Sequence, residues 1–271
     1  MLGVNLSRKI VVVLGRFFYY AVPIRKSTVI SNLKTAFPEK SENEIKHLTK
    51  LAYRNFSLTF AEMLMLHYIS AERFSQMIDH GEAENLLLPM FQSGKSFFLL
   101  SGHFGNWEYF STFPHHYKKT VNAMAKPMRN VYVSDWINKS RERFGTNVIL
   151  LGSSIRELYK VLKDNGVILS IGDQRGPSDG VRVNFFNKST AAFNGTAVLA
   201  LKTGSPIIMT FIVRQKNFDY KVYAKELRYD DLSGTDEEKI VSICQRFFSY
   251  LESMIREYPD QWFWMHKIWK Y

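Results

Sequence analysis

A histidine and a glutamate five residues apart, His103 and Glu108, are the side chains best placed to do chemistry. They lie in the segment Ser101-Gly-His-Phe-Gly-Asn-Trp-Glu108, directly after the apolar run 97–100. A short apolar run is typical of a buried strand, and open α/β sheets bind ligands beyond the carboxyl ends of their strands. A helix that begins near Asn106 would favour an ionised Glu108 in its first turn. We therefore predict His103 at a strand end, with Glu108 hydrogen-bonded to its imidazole.

Such a pair can carry out general base catalysis. A carboxylate that holds one ring nitrogen fixes the tautomer, so that the other nitrogen can remove a proton from a hydroxyl. Without a protein nucleophile, the pair suits activation of a substrate hydroxyl for direct attack on an acyl carbon. Strand-end histidines also serve as structural caps, and the spacing alone leaves both interpretations open. If the pair is catalytic, His103→Ala and Glu108→Ala should each abolish activity and leave the fold intact.

Composition restricts the classes of partner. The 271 residues include 36 Lys and Arg against 25 Asp and Glu, a formal net charge of +11, and 15% of the chain is aromatic. An apolar fraction of 46% excludes general disorder, and the single cysteine, Cys244, excludes an internal disulfide and cysteine-based metal clusters. Excess cations and aromatics suit a membrane interface or a single-stranded nucleic acid. Most aromatics fall in periodic apolar segments, which favours the membrane and argues against nucleic acid.

Residues 1–24 form a separate unit in this interpretation, an amphipathic helix at a membrane interface that Pro23 ends. The apolar run is interrupted by Arg16, so the segment is a poor spanning helix. At 100° per residue the apolar arc contains Leu6, Ile10, Val13, Leu14, Phe17, Phe18 and Ala21. The polar arc contains Asn5, Arg8, Lys9, Arg16 and Tyr20. A cationic polar face is typical of an interfacial anchor on anionic lipid, and the alternative is a helix that covers the protein's own core.

Residues 25–271 are predicted to form a single α/β domain. Helices are expected after the capping box Ser41–Glu44 to about Ile69, and at about 71–79, 82–92, 106–116, 132–144, 155–165, 191–203 and 235–258. Buried strands are expected at 97–100, 121–125, 147–151, 167–171 and 206–213, with an edge strand around 220–224. This alternation predicts a mainly parallel mixed sheet flanked by helices on both faces, with a helical amino-terminal extension.

Several segments resemble the late lipid A acyltransferases, the lauroyl and myristoyl transferases of lipopolysaccharide assembly. The resemblance covers nearly the whole chain, and the order of the segments makes it specific. Besides His103-Phe-Gly-Asn-Trp-Glu108, the similar segments are Asn32-Leu-Lys-Thr-Ala-Phe-Pro38, Asp173-Gln-Arg-Gly-Pro177, Phe185-Phe186, Gly195, Leu199-Ala200, Thr203-Gly204 and Pro259-x-Gln-Trp-x-Trp-x-His-Lys267. The fold that the resemblance implies is similar to that of the glycerolipid acyltransferases.

The resemblance implies a role for each residue of the site. His103 would be the general base and Glu108 the group that orients it. One of Arg141 and Arg143, which match an Arg-x-Arg motif of that family, would contact the developing oxyanion or a phosphate. Asp173 would support the site from another strand end.

The resemblance also implies partners and a location. Such enzymes move a fatty acyl chain from acyl carrier protein to a hydroxyl of a phosphorylated, Kdo-bearing lipid at the cytoplasmic face of the inner membrane, without a cofactor. We therefore expect monotopic attachment to an anionic membrane surface. The acceptor could instead be an aminoacyl lipid or another glycolipid. His115 and His116 lack the zincin spacing, so no metal site is predicted.

Overall fold

The computed structural model describes residues 4–22, 24–150 and 155–270. The predicted helix end at Pro23 and the last residue of the strand predicted at 147–151 lie outside these residues. The α-helices are α1 (Val4–Ala21), α2 (Lys26–Ala36), α3 (Glu42–Met65), α4 (Ala71–Ser75), α5 (Glu84–Gln92), α6 (Phe113–Tyr117), α7 (Val131–Glu142), α8 (Ile155–Lys163), α9 (Gly195–Thr203) and α10 (Asp236–Glu257). The strands are β1 (Ile78–Asp79), β2 (Phe97–Ser101), β3 (Val121–Ala125), β4 (Thr146–Leu150), β5 (Val167–Ile171), β6 (Arg182–Phe185), β7 (Lys188–Ala191), β8 (Ile207–Arg214) and β9 (Tyr220–Leu227). Two 3-10 helices cover Gly81–Ala83 and Trp107–Thr112.

Seven strands form one mixed sheet in the order β1-β9-β8-β2-β5-β3-β4. Only the pair β8 and β9 is antiparallel among its described neighbours, so the predicted fold class is confirmed. β6 and β7 form a separate antiparallel hairpin. The sequence analysis did not predict this hairpin and extended the following helix back to Ala191, whereas α9 begins at Gly195.

Helices cover both faces of the sheet because the central strands are apolar on both sides. Along β2, Phe98 and Leu100 belong to one core and Phe97 and Leu99 to the other, and all four side chains are buried. Burial of a large apolar side chain contributes about 1.5–3 kcal/mol. A strand buried on both faces reads as a continuous apolar run, which is the pattern that located it.

The connections that leave β2 and β5 pass over opposite faces of the sheet. The chain after β2 packs Phe110 and Phe113 into one core before it reaches β3. The chain after β5 packs Ala197 and Leu199 into the other core before it reaches β8. β2 and β5 are neighbours, so a crevice opens at their carboxyl ends, the position where open α/β sheets bind ligands.

α1 packs against α3 through the face opposite its apolar stripe. Gly15 lies so close to α3 that a Cβ there would be 3.0 Å from the Ser57 Oγ atom. Leu6, Ile10, Val13, Leu14 and Phe17 are exposed, Val13 by 64%, so these residues do not cover the protein's own core. Arg8 was predicted on the wet face and is instead 2% exposed. Among the described residues, no helix has both the length and the apolar character that crossing a bilayer requires.

Candidate active site

The imidazole of His103 is held by Asp173, which stands at the end of the neighbouring strand. Ser101 and Ile171 are paired in the parallel register of β2 and β5, so the two residues that lie two positions further on face each other. The Asp173 Oδ1 atom lies 2.7 Å from His103 Nδ1, and Asp173 Oδ2 accepts the backbone N–H of His103 at 2.7 Å. The Asp173 side chain is 3% exposed, and a fifth of the His103 ring is exposed.

Two features of the sequence permit this contact. Gly102 leaves room for the carboxylate, because a Cβ at this position would lie 3.1 Å from the Asp173 Oδ2 atom. Trp262 donates its indole N–H to the same Oδ2 atom at 2.8 Å. The sequence analysis interpreted Trp262 as a core aromatic. It is buried, but it also fixes the carboxylate that orients the histidine.

The predicted hydrogen bond between Glu108 and His103 is wrong. Glu108 lies in the first turn of the 3-10 helix Trp107–Thr112, as expected for a helix start, but its carboxylate faces Arg141. Arg141 donates from Nε at 2.9 Å and from Nη2 at 2.8 Å, and the Trp107 indole donates at 3.1 Å. Such a two-pronged contact is the preferred geometry of a guanidinium with a carboxylate. Asp173 therefore occupies the orienting position that we assigned to Glu108.

The two arginines of the Arg-x-Arg motif have different surroundings. Arg141 is committed to Glu108 through two of its nitrogens, and its Nη1 donates to the side chain of Asn138 at 3.3 Å. Arg143 donates to the carbonyl groups of Leu66 and Ile69, both at 2.8 Å. It thus binds the end of α3 and the turn that follows, so the structure does not bring Arg143 to His103.

The charges in the site stabilise an imidazolium. Burial by itself would lower the pKa of His103, but the carboxylate of Asp173 raises that pKa above its ordinary value. Burial likewise opposes the ionised form of Asp173, and the charge and hydrogen bonds of His103 hold the pKa of Asp173 below its usual range. Arg141 does the same for Glu108, whose pKa is lowered in spite of its burial. A proton taken up by His103 is therefore well accommodated.

The other ring nitrogen of His103 faces a polar side chain and an aromatic wall. The Gln174 Nε2 atom lies 3.5 Å from His103 Nε2. The ring of Trp107 stands edge-on to the imidazole with centroids 5.0 Å apart, and the ring of Phe263 lies 6.0 Å away. This edge of the imidazole is therefore available to a substrate hydroxyl.

An apolar cleft adjoins the aromatic wall. It is narrow, with a cavity volume of only about 10 Å³, and its lining includes Phe56, Trp107, Phe263 and Met265. Phe263 contacts Phe56 at a centroid distance of 5.4 Å, and Phe56 stacks on Phe60 at 6.4 Å. Phe60 is exposed on α3, the helix that carries α1. Aromatic rings thus lead from the histidine to an exposed phenylalanine of α3.

A buried glutamate that the sequence analysis did not identify holds the segment after His103 through a hydrogen bond to Asn106. Glu62 of α3 is fully buried and accepts from Arg8 Nε at 2.8 Å and from Arg214 Nη1 at 2.6 Å. It also accepts from Tyr220 and, at 3.0 Å, from the side-chain amide of Asn106. A glutamate in an amphipathic helix is ordinarily predicted to face solvent. Its four hydrogen-bond donors are distant in sequence, so no local pattern predicts them.

A serine with nucleophile spacing occurs nearby but lacks the required setting. Gly176-Pro-Ser-Asp-Gly180 matches Gly-x-Ser-x-Gly, which in hydrolases forms a sharp turn between a strand and a helix. Here the Gly180 N–H donates to the Pro177 carbonyl in a turn before β6, and Ser178 is exposed. The segment is therefore a surface turn between two strands and not a nucleophile elbow.

Comparison with known proteins supports the resemblance that the motifs suggested. The family model described as bacterial lipid A biosynthesis acyltransferase matches residues 1–271. A search of the curated proteins finds no match. The matched range includes both strand ends of the site, the aromatic wall and α1.

Proposed function

The chain belongs to the bacterial lipid A biosynthesis acyltransferase family, and from this premise we propose how its residues carry out the transfer. The donor is a fatty acyl thioester of acyl carrier protein, and the acceptor is a hydroxyl of a phosphorylated glycolipid, the lipid A precursor. His103 is the general base. The observation that carries the proposal is the imidazole held at Nδ1 by a buried carboxylate, with its ring beside the aromatic side chains of Trp107 and Phe263.

The reaction proceeds by direct attack. Asp173 keeps the proton on His103 Nδ1, so Nε2 takes the proton of the acceptor hydroxyl. The hydroxyl oxygen forms a bond to the thioester carbonyl carbon, and the carbon–sulfur bond breaks as the tetrahedral intermediate collapses. The proton on Nε2 then passes to the leaving thiolate. The products are the acylated lipid and the free thiol of the carrier, and His103 returns to its neutral form.

Glu108 and Arg141 support this site as an ion pair. Their contact fixes the start of the 3-10 helix, and Glu108 also binds the Trp107 indole that stands against the imidazole. The Arg141 guanidinium is partly exposed, so its charge can also act on the oxyanion or on an acceptor phosphate. We assign Arg143 no contact with the substrate, because it binds backbone carbonyls of another segment.

The protein works at the membrane surface in this proposal. The exposed apolar stripe of α1 lies in the interface, and Lys9 and Arg16 beside it face anionic headgroups. The unit 1–24 is thus a monotopic anchor on the cytoplasmic face of the inner membrane. Phe60 on α3 is exposed, and Phe56 and Phe263 continue the aromatic surface from it toward His103, so a lipid acceptor that remains in the bilayer can approach along these rings.

A direct test incubates the purified protein with acyl carrier proteins loaded with several chain lengths and with different lipid acceptors. The acceptors are a phosphorylated disaccharide lipid with Kdo, the same lipid without Kdo, and an aminoacyl lipid. Mass spectrometry of the products identifies the acceptor and the acyl length. The proposal requires one added acyl group on the disaccharide lipid and its absence with His103→Ala. Transfer to the aminoacyl lipid alone would replace the proposed acceptor.

A further inference from the structure

A second cluster of ionisable side chains lies outside the proposed acyl-transfer site. It consists of His80, Glu84 and His116, each of which offers a ligand atom within 4.8 Å of the others. The Glu84 carboxylate lies 3.2 Å from His116 Nε2 and 3.5 Å from His80 Nδ1. Tyr117 donates to Glu84 at 3.0 Å and contacts His80 Nδ1 at 2.8 Å. Glu84 is thus the centre of the cluster.

The topology separates this cluster from His103. β1 is parallel to β9, β9 is antiparallel to β8, and β8 is parallel to β2. β1 is the outermost strand, and β9 and β8 lie between it and β2. At ~4.8 Å per strand, His80, which follows β1, is therefore roughly 14 Å to the side of His103, which follows β2. His116, on α6, stacks on His80 and so lies beside the same outer strand.

The donor set suits a divalent transition metal. Two imidazoles and one carboxylate are the ligands of open zinc sites, in which water or another group takes the fourth position. Around a tetrahedral zinc ion with bonds of about 2 Å, neighbouring ligand atoms lie a little over 3 Å apart. Both Glu84 distances are close to that separation. The side chains of Glu84 and His116 are about one third exposed, so an ion can enter from solvent.

We propose that His80, Glu84 and His116 bind a zinc-like divalent transition metal beside the outermost strand β1, to the side of the acyl-transfer site. The imidazoles are stacked with their centroids 3.9 Å apart and their planes at 6°. Because ring lone pairs lie in the ring plane, one imidazole turns about its side-chain bonds when the ion binds. His116 is the ring with room to turn, since His80 is buried. The ion then joins the segment after β1 to α6.

The experiment is a zinc titration of the purified full-length protein, free of any polyhistidine tag, against a chromophoric chelator. We expect one equivalent of Zn²⁺ to bind. His116→Ala and Glu84→Gln should weaken binding at least tenfold. His115→Ala is the matched control, because His115 is the neighbouring residue on α6 outside the cluster, and it should bind zinc as tightly as the wild type.

Each other outcome overturns the proposal. Equal zinc affinity in wild type and His116→Ala would show that the ion binds elsewhere, and so would a loss of affinity in His115→Ala. Absence of stoichiometric binding by the wild type would remove the site altogether. Circular dichroism and melting of each variant confirm that a loss of affinity does not reflect unfolding. Because the readout is zinc affinity, it does not depend on the proposed acyl transfer.

Discussion

The protein contains two histidine–carboxylate clusters, one after two central strands of the sheet and one beside its outermost strand β1, and they are built differently. His103 and Asp173 follow two neighbouring strands in register. The Asp173 carboxylate is buried and accepts three hydrogen bonds. His80, Glu84 and His116 lie on helical or turn segments, and two of these side chains are about one third exposed. Strand ends fix the relative position of two groups, as general base catalysis requires. Side chains on short helices keep the freedom to close around an ion.

The largest expected difference between the clusters is in the rate of acyl transfer. His103→Ala should lower the rate by on the order of 10²–10⁴-fold, the usual contribution of a general base. His116→Ala should leave the rate within about twofold of the wild type, because that residue lies away from the site. Product formation followed by mass spectrometry measures both. Wild-type rates in His103→Ala would remove the imidazole from the mechanism.

Asp173→Asn should reduce the rate by roughly 10²-fold, since it removes the charge that stabilises the imidazolium. It should also change the pH dependence. His103 acts as a base only when it is neutral, and Asp173 raises the pKa of His103, so wild-type activity should increase with pH through a midpoint above 6.5. In Asp173→Asn the midpoint should move to lower pH. An unchanged profile would show that Asp173 does not set the protonation of His103.

Glu108→Gln should destabilise the fold by about 2–3 kcal/mol, because it leaves the guanidinium of Arg141 without its countercharge in a largely buried position. This prediction replaces the sequence-based expectation that Glu108→Ala leaves the fold intact. The double variant Glu108→Gln/Arg141→Met should lose less than the two single variants together. Urea unfolding measures these free energies, and additive losses would contradict the pairing. The pKa of Glu108 is depressed, so its contribution to stability is present above pH 4.5 and lost as pH falls through the folded value.

The smallest expected effect concerns the anchor. Val13→Glu places a charge in the exposed apolar stripe of α1 and should weaken binding to anionic vesicles about tenfold, with little change in the melting temperature. Val241→Glu on α10 is the matched control, since Val241 is also an exposed valine but lies on another helix. Cosedimentation with vesicles compares them. Equal losses in the two variants would show that the stripe has no special role.

Much of the fold could be predicted because the strands are short apolar runs. β3 has the predicted bounds 121–125, and the capping box at Thr235 starts the last helix as expected. The helix predicted at 106–116 is instead a 3-10 helix followed by α6, and both segments contribute buried residues, Phe110 and Phe113, to one core. After α8, Asn165 takes the left-handed conformation that glycine commonly provides at a helix end.

The location of the candidate site could be predicted from the sequence, but the carboxylate that binds His103 could not. The position of His103 follows from local sequence, because it comes directly after a buried strand. The choice of partner depends on register: β2 and β5 are neighbours, although about 70 residues separate them in the chain. Spacing along the chain favoured Glu108 because it is close in sequence, but Arg141 binds it from α7. An ion pair between residues distant in sequence cannot be predicted from the sequence of either segment alone.

The contacts of Glu62 bear on any shortened version of this protein. Arg8 is one of two cations that neutralise this acid, and Asn106, which binds its other oxygen, belongs to the segment that follows His103. Deletion of α1 to ease purification would remove the Arg8 countercharge from the interior and expose to water the face of α3 that α1 covers. If the truncated protein were inactive, the loss of this buried ion pair would explain it. The loss of activity would therefore not show whether the helix contacts lipid.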